Sequence, residues 1–208
     1  MDRNIVDKKF AEWTSGLGPK EARISIFNHI RDIPYAIIPE LRSPEDGPSG
    51  ILEKNHGSCQ PKHWLMAILF KKLNIPVKYA TYPFRWEDCG IRFPPDLDGM
   101  VKHPPVSYHL ALKAFIDGRW IPVDATYDLP LAKAGFPVTE NWDGVSPTKN
   151  AVKAIEEVLH DTPEERVRYE AEKKMHHTEA QKAASVKFIE KLNDWLESAR
   201  KTKGTVER

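Results

Sequence analysis

The chain has 208 residues, with 31 Lys and Arg against 30 Asp and Glu, for a formal net charge of +1. That length fits one domain, or one domain with an appendage. With 40% hydrophobic and 29% charged residues it reads as globular rather than disordered. The near-zero charge leaves no composition-based case for nucleic acid or an anionic membrane as partner, and two cysteines are too few for a disulfide scaffold.

The opening MDRNIVDKKF is charged and lacks an apolar h-region, so a cytoplasmic protein is expected. Pro19 starts an expected helix through Asp32, with Ile24, Phe27 and Ile30 on its inner side. Residues 34–57 are rich in Pro, Gly and Ser and read as loop. A second helix runs from Cys59 to about Leu73, apolar on every side in its middle and therefore expected inside the core. Asn74-Ile75-Pro76 stops it, and Val77–Tyr82 reads as a strand. Residues 83–106, with five prolines, form a connection long enough to be functional or disordered. Tyr108–Ile116 and Arg119–Thr126 read as strands around the hairpin signal Asp117-Gly118.

After residue 150 only Pro163 and Gly204 interrupt the chain, so residues 1–150 read as the core and 151–208 as a charged helical extension. Asp161-Thr162-Pro163-Glu164-Glu165 is its helix start, combining a side-chain acceptor, a first-turn proline and carboxylates at the positive dipole end. Glu164/Arg168, Glu170/Lys174 and Glu197/Lys201 are spaced as i,i+4 pairs, and Phe188, Leu192, Trp195 and Leu196 form an apolar stripe expected to dock on the core.

Cys59 stands where a loop feeds the apolar helix. A helix N-terminus carries partial positive charge and free N–H groups, which stabilise a thiolate and can hold an oxyanion. Pro61 has no N–H, so the backbone donors nearest the sulfur are those of Cys59 and Gln60, with the side chains of Asn55 or Gln60 as further oxyanion candidates. If Asp117-Gly118 is a two-residue turn, His109 faces Thr126 and Asp124 faces Ala111. His109 and Asp124 are then diagonal neighbours on one face, roughly 7–8 Å apart at the backbone and within side-chain reach. Cysteine, histidine and aspartate so placed form a nucleophile, base and orienter. Cys89, beside Trp86, has no assigned role. His56, Cys59 and His63, or Cys89 and His103, lack paired metal-ligand spacing, so no metal and no other cofactor is expected.

The stretches GSCQPKHWLMAILFKKLNIPVKYATY and HLALKAFIDGRWIPVDATYD resemble the nucleophile and histidine–aspartate signatures of the transglutaminase-like superfamily, over about Ile24 to Asp128. The resemblance implies that Cys59, His109 and Asp124 are the catalytic residues. It implies an α+β, papain-like core in which the helix carrying the cysteine packs on an antiparallel sheet, here followed by the C-terminal helical extension. It implies acyl transfer from an amide through a thioester, with a peptide, protein or small amide as substrate. Hydrolysis is favoured over amine cross-linking, and a catalytically inert binding module is the alternative. Two positions depart from the family pattern: Asn74 stands where a glycine is usual, and Leu110-Ala111 lacks the aromatic that often follows the histidine.

Overall fold

The computed structural model describes residues 3–201. Helix α1 spans Arg3–Thr14 and α2 Pro19–Asp32. They are followed by α3, Gly47–Lys54, and α4, Cys59–Lys72. Strand β1, Val77–Phe84, leads through the short α5, Pro95–Asp98, to β2, Ser107–Ile116, and β3, Arg119–Val123. A short β4, Val158–His160, precedes α6, Pro163–Lys174, and α7, Glu179–Lys201. The strands form one antiparallel sheet in the order β3-β2-β1-β4.

The two faces of the sheet serve two apolar clusters, as strand alternation requires. Val77 and Tyr79 of β1 and Leu110, Leu112 and Ala114 of β2 join Leu65, Leu69 and Phe70 of α4 and Phe27 and Ile30 of α2. Ala80, Tyr82 and Phe84 join Phe188, Leu192 and Leu196 of α7 instead. Helix α4 is the centre of the first cluster: Leu65, Met66, Leu69 and Phe70 are fully buried, as its all-round apolarity predicts. Each such side chain contributes about 1.5–3 kcal/mol over an exposed one, so α4 is held rigidly against the sheet.

The turn after α4 explains why asparagine serves where glycine is usual. Asn74 has a φ of 57° and occupies the left-handed C′ position of the helix. The Ile75 N–H reaches back to Phe70 O at 2.9 Å and the Asn74 N–H to Lys71 O at 3.0 Å. Asparagine tolerates this conformation better than any β-branched residue.

The hairpin has the expected register, Ile116 opposite Arg119 through Leu112 opposite Val123. Asp117 and Gly118 have φ of 50° and 79°, both positive, as the primed hairpin turn demands. The ladder ends at Val123, before Asp124, whose N–H turns away from β2 to Thr148 Oγ1 at 2.7 Å.

Three expectations need correction. Residues 34–57 are not all loop, for a 3-10 turn covers Pro39–Leu41 and α3 follows. The glycines read there as breakers are contact positions: a Cβ on Gly47 would stand 2.5 Å from Leu41 O, and one on Gly50 2.5 Å from Leu41 Cδ2. Residues 83–106 are structured, and Trp86, Ile91, Leu97 and Val101 are buried in the second cluster. The chain after residue 150 is woven into the core rather than appended to it. Its β4 pairs with β1, Tyr79 opposite His160. Asn193 of α7 exchanges two hydrogen bonds with the Ile37 backbone, at 2.9 and 3.1 Å. Arg200 clasps Asp128 with two bonds of 2.8 Å. The docked stripe accounts for this, because Phe188, Leu192 and Leu196 bury their apolar face in the second cluster. Among the described residues no helix is long and apolar enough to cross a membrane.

Candidate functional site

The site lies where the two clusters meet. Cys59 packs against the first, while Tyr82 and Ala111, the strand neighbours of His109, belong to the second. Ser58, in extended conformation, delivers Cys59 as the first residue of α4, where the opening N–H groups of the helix have no intrahelical partner. His109 donates from Nε2 to Asp124 Oδ2 at 2.8 Å, and Cys59 stands close enough for its charge to act on the same ring. In the neutral ring this bond places the proton on Nε2. The ring also stacks on Tyr82, with centroids 6.0 Å apart.

Asp124 is buried and accepts from four donors. Oδ1 takes the Thr126 N–H at 3.1 Å and the Thr126 hydroxyl at 2.6 Å; Oδ2 takes His109 and the Ala151 N–H, both at 2.8 Å. Burial opposes its charge, but His109 and these bonds outweigh it and hold the carboxyl well below the usual carboxylate range. Burial likewise works against a charged His109, yet Asp124 and Cys59 push its pKa up to about 10. Burial would raise the Cys59 thiol, but the His109 charge and hydrogen bond, the Leu110 N–H and the Arg166 charge bring it below its ordinary value. Both shifts run toward the charged forms, a thiolate and an imidazolium.

Two residues of α4 brace this arrangement, and neither was expected in it. His63 donates from Nδ1 to Cys59 O at 2.7 Å, and its Nε2 accepts the Ala125 N–H at 3.1 Å. It therefore ties the nucleophile's helix to the loop of the orienter. Burial lowers its pKa to about 4, against the pull of Asp124, so at neutral pH the 3.6 Å approach to Asp124 is not an ion pair. Its spacing four residues after Cys59, one helical turn along the same face, is the signal that could have found it. Lys62, fully buried, donates to Arg31 O at 2.9 Å and to Thr126 O at 2.7 Å, and so pins the same loop. Replacing His63 with Phe is expected to cost about 1–3 kcal/mol in urea unfolding, the penalty of an unpaired Ala125 N–H. Asn at this position, able to accept one bond, should recover part of the loss.

Helix α6 supplies a second buried charge group beside Cys59. Glu170 Oε2 accepts from Gln60 Nε2 at 2.6 Å and from Arg166, and Oε1 accepts from Lys174. Arg166 is fully buried and also donates to Tyr108 O at 3.1 Å. Burial lowers the Arg166 pKa to about 10, while the Cys59 charge pulls it upward. Of the three i,i+4 pairs expected in the helices after residue 150, Glu170–Lys174 is an ion pair, and it turns toward the site rather than to solvent.

Cys59, Gln60, His109, Glu170 and Lys174 share a cleft of about 370 Å³ whose apolar wall includes Trp86 and Phe188. Of the oxyanion candidates, Cys59 and Gln60 are at this cleft; the Gln60 side-chain amide is already committed to Glu170 through its nitrogen. Asn55 is not brought there: it caps the C-terminus of α3 with a φ of 53° and is exposed. Both cysteines are free. Burial pushes the Cys89 thiol up to about 11, which makes it a poor nucleophile. Among the described residues no three His, Cys, Asp or Glu side chains are grouped to hold a metal ion.

The model of the transglutaminase-like superfamily matches residues 9–125. Among solved structures the chain is similar to a candidate cysteine protease from Cytophaga hutchinsonii, at 20% identity and a TM-score of 0.41. That likeness covers 62% of this chain and 39% of the other, so the chain spans about two fifths of that protein's length. No curated protein matches the chain.

Proposed function

The chain belongs to the transglutaminase-like superfamily, and we propose on that footing that it hydrolyses amide bonds through a thioester on Cys59. The observation that carries this reading is Cys59 at the N-terminus of α4 beside the hydrogen-bonded His109–Asp124 pair, whose histidine charge lowers the thiol. The Cys59 thiolate attacks the amide carbonyl carbon, and the oxygen, taking up the electron pair, is held by the N–H groups of the first turn of α4. The His109 imidazolium gives its Nδ1 proton to the departing nitrogen, so the amine leaves neutral and a thioester remains. Neutral His109 then takes a proton from water as the water attacks the thioester. That proton restores the imidazolium, and collapse then expels the thiolate and leaves a carboxylic acid. Asp124 keeps Nε2–H in place throughout and takes up no proton.

An amine replacing water in the second stage gives cross-linking, and the products decide between them. Glutamine-containing peptides are incubated with a primary amine, and ammonia, cleaved peptide and conjugate are followed by mass spectrometry. We expect ammonia or cleaved peptide, and a loss of roughly a thousandfold or more in turnover for Cys59→Ala with its circular dichroism unchanged. Full turnover by that variant removes Cys59 as nucleophile. A wild-type protein that binds peptides without turning them over is an inert binding module.

A further inference from the structure

The wall of the cleft facing Cys59 carries more positive charge than the reaction uses. Arg42, Lys174 and Lys182 line it, and Glu170 is the one carboxylate among its lining residues. Glu170 is already shared by Arg166, Lys174 and Gln60, and Lys182 pairs outward with exposed Glu179. The Arg42 guanidinium is partly buried and has no ion-pair or hydrogen-bond partner among the described residues. It stands near enough to Lys174 and Arg166 to oppose their charges. Three cations around one carboxylate are a site with charge to spare, and a planar, unpaired guanidinium suits a carboxylate best.

A second observation concerns what else the ligand must offer. Gln60 is buried, and its Oε1 is an acceptor with no partner. Its amide is not reversed, because the oxygen would then face the Glu170 carboxylate, which accepts from Nε2. A buried acceptor without a donor costs about 1–3 kcal/mol, and an incoming N–H at the cleft relieves it. A free inorganic anion has no such N–H; a peptide does.

We propose that Arg42 and Lys174, beside Gln60, form a subsite for a carboxylate carried on the substrate close to the scissile amide, with Gln60 Oε1 accepting a substrate N–H. This rests on the thioester reading of Cys59 and adds its substrate class: acidic peptides, whether the carboxylate is a chain terminus or an Asp or Glu side chain. The apolar residues Phe84, Trp86 and Phe188 line the rest of the cleft and suit an uncharged side chain in the same substrate.

The test uses iodoacetate and iodoacetamide, which alkylate a thiolate with loss of iodide and differ in one carboxylate. A free thiolate reacts more slowly with the anionic reagent, since like charges repel. The His109 imidazolium alone offsets part of that, so the readout is the change in the rate ratio between wild type and Arg42→Gln, and between wild type and Lys174→Gln. Mass spectrometry reads Cys59 apart from Cys89. The iodoacetate-to-iodoacetamide ratio is expected to fall about fivefold in Arg42→Gln, the size of a partly screened ion pair. An unmoved ratio in both variants overturns the subsite. Alkylation of Cys59 by both reagents no faster than free cysteine overturns the nucleophile itself, which separates the two readings. Calorimetry on Cys59→Ala then distinguishes the sources of the carboxylate, using one peptide with a free C-terminus, the same peptide amidated, and an amidated version containing Glu. Tighter binding of the first assigns a chain terminus, and of the third a side chain. Equal binding of all three overturns the proposal.

Discussion

Replacing Asp124 with Asn is expected to lower turnover by roughly a thousandfold, within the range for a disabled general base. All four partners of its two oxygens are donors, namely His109 Nε2, the Ala151 N–H, the Thr126 N–H and the Thr126 hydroxyl. An asparagine must present its NH2 to one of these pairs, so either the histidine or the loop loses its acceptor. The pH dependence follows by sign. His109 is raised to about 10 in the folded protein, so its charge adds stability that is complete below its unfolded value near 6.5 and lost as pH rises through about 10. Asp124 is depressed, so its contribution is complete above its unfolded value of about 3.9 and is lost as pH falls below it. In wild type, iodoacetamide alkylation of Cys59 should therefore extend to lower pH than that of a free cysteine, because the thiol lies below its ordinary value. In Asp124→Asn the imidazolium weakens and the thiol rises, so the plateau narrows from both sides. Superimposable pH–rate profiles for the two proteins would sink the assignment of Asp124 as orienter.

Removing the Glu170 carboxylate, as Glu170→Ala, should destabilise the protein by about 3–5 kcal/mol, because it strands Arg166, which is fully buried. That is a large share of the roughly 5–15 kcal/mol of a typical domain. The double variant Arg166→Met, Glu170→Leu removes both charges while filling similar volume, and should be markedly more stable than the single one. Urea unfolding measures both. The double variant also has a functional signature: without the Arg166 charge, which lowers the Cys59 thiol, alkylation should shift to higher pH. A double variant no more stable than Glu170→Ala would show that the pair is not what holds α6 to the site.

Much of the site was legible because it is written in local chemistry. Asp117-Gly118 is a two-residue turn, and its register runs to Leu112 opposite Val123, so Asp124 follows directly where the ladder ends and bonds His109. Asn74-Ile75-Pro76 ends α4, and the all-round apolarity of α4 places it in the core. What was misread were short or context-dependent elements. Gly47 and Gly50 look like breakers until the close approach of Leu41 is known. Val158–His160 is three residues long, too short for alternation to register, and becomes a strand only because Tyr79–Thr81 leaves it an edge to pair with.

The sequence by itself determined the helix that begins at Cys59 and the hairpin turn at Asp117-Gly118, since each depends on neighbours within a few positions or across one two-residue turn. The tertiary structure alone decided what surrounds them. Glu170 reads from the sequence as half of an i,i+4 pair with Lys174 on a charged extension, and Arg166 carries no reading there; in the fold both are buried beside Gln60 and Cys59, while Phe188, Leu192 and Leu196 dock on the second cluster. Charge on a helix has no preferred partner until packing removes water from it, and packing joins residues some hundred positions apart that no local pattern links.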